Sequence, residues 1–317
     1  MRILCAIVGT AVLAAGESHP SWWNLASPEA TVLVGIDWAK LRHSPFAEAI
    51  DEELWNANSL GFPDLACLKE ARQFLISSPA VLAIAAGSFP PATVRAQAAR
   101  QGMKPGSYRG VDLWVSPGNA TRSVAQMSGQ LLLIGTRKTL EDAIDRSLGQ
   151  TLRRNSPLLA RAAHFAETRD LWVVAAQLPD PLASLFVPLD ADGRDFEGGV
   201  SVSGGLEAVA ALRAASEEAT AELAANLRHA IPSLPAIAGA LQVSVEGDVV
   251  LMTLEVNQEQ LMANLRHPDA APAVAAEPAP ERAPEPVSKP EPKPAGPQVI
   301  RILGLDEGPR EIVLHNQ

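Results

Sequence analysis

Ten of the 30 residues from Pro268 to Pro297 are proline, and no apolar residue recurs there at helix or strand spacing. Proline holds φ near about −65° and lacks a backbone donor, so a stretch this dense cannot enter a helix interior or a central strand. The chain is therefore divided into a body before Pro268, a disordered proline-rich linker over 268–297 and a short segment over 298–317. In polyproline II, at roughly 3.1 Å per residue, the linker reaches on the order of 90 Å at most.

The first residues are a sorting signal. Met1-Arg2 gives a short positive start, Ile3 to Ala15 is unbroken apolar or small sequence, and Ala14-Ala15-Gly16 offers small residues for cleavage. This is the anatomy of a secretory signal peptide over residues 1–16, with the mature chain beginning near Glu17. An uncleaved membrane anchor is the alternative. Export makes the expected location periplasmic, cell-envelope or extracellular. Cys5 leaves with the signal, and Cys67, among Leu65, Leu68 and Ala71 on an expected helix, reads as a small buried hydrophobe.

Hydrophobic residues make up 47% of the chain and charged residues 20%, enough apolar sequence for a sizeable core. The formal charge is 26 − 36 = −10, which argues against a nucleic-acid binder, because phosphate recognition needs a basic surface. Two cysteines cannot build a disulfide framework or a four-ligand zinc cage.

Thr31 to Asp37 and Ala80 to Ala86 are short apolar runs of buried-strand type. Between them Ser44-Pro45 starts an expected helix with Phe46, Ala49, Ile50 and Leu54 on one face. Arg122 to Met127 and Gln130 to Ile134 form a hairpin around Ser128-Gly129, followed by a helix from a capping box at Thr139 to a stop at Gly149. The order hairpin-then-helix recurs about 119 residues later, over Leu241 to Glu246, Gly247-Asp248, Val249 to Val256 and Gln258 to Leu265. Duplication and chance reuse of a common motif both account for it. A further hairpin spans Gly199 to Leu212, and a helix Ser216 to His229. The expected fold class is α+β, with antiparallel sheets and packed helices in two halves, 17–150 and 151–267, the second a candidate repeat of the first.

In the last segment, Val299 to Leu303 and Arg310 to Leu314 are β-prone runs on either side of a turn-rich loop. A lone hairpin is marginal in water, so it should dock on a sheet edge of its own body or add to another chain. The candidate partner-binding residues are Val299, Ile300, Ile302, Leu303, Ile312, Val313 and Leu314, with a protein as the partner. Pro284 to Pro294 is similar in composition to the Glu-Pro/Lys-Pro spacers of TonB-type energy-transducing proteins of the bacterial envelope. The whole layout resembles secreted or envelope proteins of bacteria with an α+β body, and that resemblance implies no activity.

Catalytic patterns are lacking. The six histidines are scattered with none in His-Glu-x-x-His, and Gly199-Val-Ser201-Val-Ser203 misses the final glycine of a nucleophile elbow. Gly193 to Gly199 has phosphate-loop spacing without the lysine. Asp190, Asp192, Asp195 and Glu197 cluster as calcium ligands would, but Arg194 and an early Gly193 break the EF-hand pattern, so a solvated turn is expected. Trp38, Trp55, Trp114 and Trp172 read as core residues, and Trp22-Trp23 as exposed or as packing the N-terminus onto the body. No catalytic residue, metal or cofactor is expected. The reading is an exported, non-enzymatic interaction protein, with a secreted hydrolase of dispersed site and an envelope-anchored spacer as alternatives.

Overall fold

The computed structural model describes residues 19–44, 47–48, 63–116, 123–149, 156–176, 195–233, 236–261, 298–302 and 310–314. The signal, the linker and most of the Ser44–Leu54 helix lie outside them. The chain forms two compact units, Met1–Pro272 and Ala273–Gln317.

In the first unit a single antiparallel sheet holds every described strand. In chain order these are β1 (Val32–Asp37), β2 (Ala71–Ser78), β3 (Leu82–Gly87), β4 (Lys104–Tyr108), β5 (Val111–Val115), β6 (Ser123–Ser128), β7 (Leu131–Gly135), β8 (Leu171–Ala175), β9 (Asp195–Ser201), β10 (Gly205–Arg213), β11 (Gln242–Glu246) and β12 (Val249–Asn257). Their spatial order is β11-β12-β10-β9-β8-β1-β2-β3-β7-β6-β5-β4. This corrects the expectation of separate sheets in two halves. The reason is the seam, where β1 pairs with β8 from Val32↔Ala175 to Ile36↔Leu171. Both strands are apolar on both faces, so neither serves as a solvated edge, and pairing them buries two edges at once. From the seam outward the order β1-β2-β3-β7-β6 is matched by β8-β9-β10-β12-β11.

Five helices are used below: α1 (Trp38–Leu41), α2 (Pro91–Arg100), α3 (Arg137–Ser147), α4 (Ser156–Thr168) and α5 (Glu217–Ala230). They cover both faces of the sheet. On the front, α2 packs Val94 and Ala98 against Phe74, Ala83, Ala85 and Ile134, and α5 packs Leu223 and Ala224 against Leu212 and Val250. On the back, α3 sets Leu140 and Ile144, and α4 sets Leu158 and Ala162, against Leu33, Leu75, Ile84 and Val174. Strand alternation explains the two-sided core: in β1, Leu33 serves the back while Ile36 serves the front.

Two local expectations shift. Asp64 to Arg72 does not form one helix; a 3-10 turn over Ala66–Glu70 runs into β2, whose Phe74, Leu75 and Ile76 pair with Ile36, Gly35 and Val34. Sheet pairing here overrides helical spacing. Helix α3 begins one turn early, capped by Thr136, whose hydroxyl accepts from the Thr139 amide at 3.1 Å. The Thr139 hydroxyl instead donates to the Thr136 carbonyl at 2.9 Å. Gly149, at φ +72°, ends the helix in the left-handed conformation that a glycine adopts at least cost. Helix α5 lies within one residue of the expected span at each end; Ser216 caps it, accepting from the Ala219 amide at 3.2 Å, with Glu217 and Glu218 in the first turn and Arg228 and His229 in the last, in line with the helix dipole.

The second unit contains a two-stranded sheet of β13 (Gln298–Ile302) and β14 (Arg310–Leu314).

Candidate interaction surfaces

Strands β13 and β14 are antiparallel and in register, with Val299 opposite Val313, Ile300 opposite Ile312 and Arg301 opposite Glu311. Six of the seven hairpin residues singled out from the sequence therefore stand on these strands: Val299, Ile300 and Ile302 on β13, Ile312, Val313 and Leu314 on β14. Leu303 lies outside the described residues. Each strand has one neighbour in its sheet, so one row of amides and carbonyls on each outer edge has no partner within that sheet.

The acidic cluster is placed differently from the expected solvated turn. Asp195 and Glu197 stand on β9, and Arg161 of α4 bridges them, Nη1 to Asp195 Oδ1 at 2.9 Å and Nε to Glu197 Oε2 at 3.1 Å. These carboxylates balance a guanidinium over the sheet. Asp190 and Asp192 fall outside the described residues. No group of three or more potential metal ligands occurs among those described.

Ser201 ends β9, which is followed by β10 and not by a helix, so the nucleophile-elbow geometry is missing. Its hydroxyl donates to Asp170 Oδ2 at 3.1 Å, and the same oxygen accepts from the Val202 amide at 2.9 Å. Asp170 is 3% exposed, and its other oxygen lies 3.7 Å from Lys40 Nζ. This polar knot ties the entry of β8 to the exit of β9. Lys40 also approaches Asp37 at 3.8 Å. Near it an open cleft of about 660 Å³ runs along the strand ends, where Asp37, Arg72, Gln73, Ser88 and Gln130 mix both charges and neutral polar groups.

Trp38, Trp114 and Trp172 are buried as expected. Trp23 is buried too, its ring 5.3 Å from that of Trp172 and 5.5 Å from the stacked ring of His19, so the N-terminal segment is packed on the back face. Arg146 of α3 helps hold it, donating from Nη2 to the Leu25 carbonyl at 2.7 Å, and burial lowers its pKa. Packing of the N-terminus onto the body is one of the two readings the sequence offers for Trp22-Trp23; Trp172 as the partner of Trp23 and the Arg146 anchor were not legible, since each joins residues more than 100 positions apart.

Cys67 is a free, buried thiol whose pKa burial pushes up to about 11, while a backbone hydrogen bond pulls the other way. Two outcomes follow. The native protein should resist thiol alkylation at pH 8 and react on denaturation. Its stability should also fall as pH rises from the ordinary thiol range toward 11, because the unfolded chain then loses a proton that the folded one keeps. Alkylation rates with and without urea, and melts of the parent and Cys67→Ala across pH 8 to 11, read both effects.

The front face also carries an apolar trough of about 350 Å³ on β1, β8, β9, β10 and β12. None of its described lining residues is charged.

Comparison of the chain with protein-family models, curated proteins and solved structures finds no match. No described helix is long and apolar enough to cross a membrane.

Proposed function

We propose that this chain is an exported, non-enzymatic binding protein whose body carries a proline-rich spacer and offers its terminal hairpin to a protein partner. The observation that supports this most is the hairpin itself. Its strands pair with each other in a compact unit separate from that of the body, and two strands alone bury too little to be stable in water. A partner strand added to either outer edge would supply the missing hydrogen bonds, with Val299, Ile300, Ile302, Leu303, Ile312, Val313 and Leu314 giving the contact its apolar character. The spacer sets the reach. The signal-like N-terminus supports delivery outside the cytoplasm, where a membrane contact arises only if the signal stays uncleaved.

Deletion of residues 298–317 tests the separation of roles. The truncated protein should melt within about 1 °C of the full chain, because the body's core lies before Pro268. A drop of about 5 °C or more would make the hairpin a structural part of the body and end this reading. In an exporting bacterial host, the intact mass should match a chain beginning near Glu17.

A further inference from the structure

Among the described residues the large sheet has two outer strands, β4 and β11, and their edges differ. An outer strand turns the amide and carbonyl of every second residue away from its neighbour, ready to pair with another strand. In β4 the pair beside the turn is Tyr108↔Val111, so Pro105 and Ser107 face outward. Pro105 has no amide to offer and Lys104 adds a charge, two ways of closing an edge. In β11 the pair beside the Gly247-Asp248 turn is Glu246↔Val249, so Gln242, Ser244 and Glu246 bond inward to β12 while Val243 and Val245 face outward. The Val243 carbonyl agrees with this phase: it accepts from Nη2 of the exposed Arg228 side chain at 2.8 Å, and a carbonyl oxygen can accept twice. Neither proline nor lysine guards β11, and its Val245 is 39% exposed.

We propose that β11 is a self-association edge, where a second copy of this chain adds its own β11 in antiparallel fashion to make one sheet across a twofold axis. The sequence of the strand selects a second copy as the partner. With the axis at Ser244, Val243 of each copy lies opposite Val245 of the other, and each of these pairs exchanges two hydrogen bonds. Gln242 meets Glu246 of the second copy, so a carboxamide faces a carboxylate and the two Glu246 side chains are kept apart. Other registers do worse. An axis at Val243 calls for the Leu241 amide, which already donates to the Ala238 carbonyl at 2.9 Å, and an axis at Val245 sets Val243 against the turn at Gly247. The contact is the same patch on both copies, so it closes at two. It does not involve the terminal hairpin.

Sedimentation of the mature protein at about 50 µM tests the proposal, since so small a contact gives a weak, reversible dimer. The parent should sediment with about twice the mass of one chain. Val245→Pro removes an outward amide and no inward one, so it should be monomeric while melting within about 3 °C of the parent. Cross-linking under a mild added oxidant reads the register. Residues opposed between two hydrogen-bonded pairs lie about 4.5 Å apart at Cα, within disulfide reach. Ser244→Cys should therefore give a covalent dimer in at least about tenfold higher yield than Gln242→Cys or Ser107→Cys. Cys67 is buried and does not compete. A parent that stays monomeric, with no excess cross-linking of Ser244→Cys, would overturn the proposal. So would a dimer that survives Val245→Pro, one that cross-links best through Ser107→Cys, or one lost on deletion of residues 298–317; the last two assign the contact to β4 or to the hairpin. Should Val245→Pro fail to fold, the cysteine comparison decides alone.

Discussion

Gly35→Ala should destabilise the body by about 3 kcal/mol or more, at the top of the range for overpacking a core, and lower its melting temperature by roughly 6 to 12 °C. Gly35 and Trp172 are directly paired across the β1–β8 seam. A Cβ on Gly35 would lie 2.0 Å from Trp172 Cε2 and 2.1 Å from Cζ2. The indole has little freedom to withdraw, since it is 4% exposed and packed against Trp23. The methyl group therefore forces the rigid ring or the strand to move. Trp172→Leu in the Gly35→Ala background should recover part of the loss, although Trp172→Leu alone is destabilising. Urea and thermal melts of the three variants check this. An unperturbed Gly35→Ala would contradict the register of the seam, because a one-residue slip puts Trp172 on the other face.

Asp170→Ala should be the second large effect, at about 2–4 kcal/mol. The carboxylate accepts the Val202 amide at 2.9 Å and the Ser201 hydroxyl at 3.1 Å in a site that is 3% exposed. Removing it strands a buried amide without an acceptor, which costs more than the bond itself contributes. Asp170→Asn retains an acceptor oxygen and should lose less. Ser201→Ala should cost about 1 kcal/mol. Lys40→Ala should be nearly silent, because its side chain is 47% exposed and the nitrogen stands 3.7 Å from the carboxylate. Chemical denaturation orders the four variants. Equal losses for Asp170→Ala and Asp170→Asn would show that the amide finds another partner.

The ordering of strands along the chain was largely legible, and the sheet they build was not. Buried-strand runs such as Thr31 to Asp37 and Ala80 to Ala86, and the turn pair at Gly247-Asp248, announce themselves because they depend on neighbours in sequence; the turn of the first hairpin falls one residue later than read, at Gly129-Gln130. Which strand lies beside which depends on distant partners. The seam between β1 and β8 joins residues about 140 positions apart, and nothing local in Val32 to Asp37 specifies Trp172 as the cross-strand neighbour of Gly35. β2 was hidden for a related reason: Asp64 to Arg72 has helical spacing, but Phe74, Leu75 and Ile76 gain more by pairing with β1 than by extending that turn. The acidic cluster looked like a solvated turn because its counter-ion, Arg161, belongs to a helix 34 residues upstream of Asp195. The hairpin was the most legible candidate site, since its two β-prone runs are separated only by a short turn-rich loop, and their register follows from that closeness.

The account rests on a terminal hairpin left available for a partner, and amide hydrogen exchange on the isolated mature protein tests it most directly. Residues 299–314 should exchange about as fast as the proline-rich linker, while β1, β8 and β3 in the sheet interior stay protected. Protection of the hairpin equal to that of those strands would contradict the account, since its edges would already be satisfied within the protein.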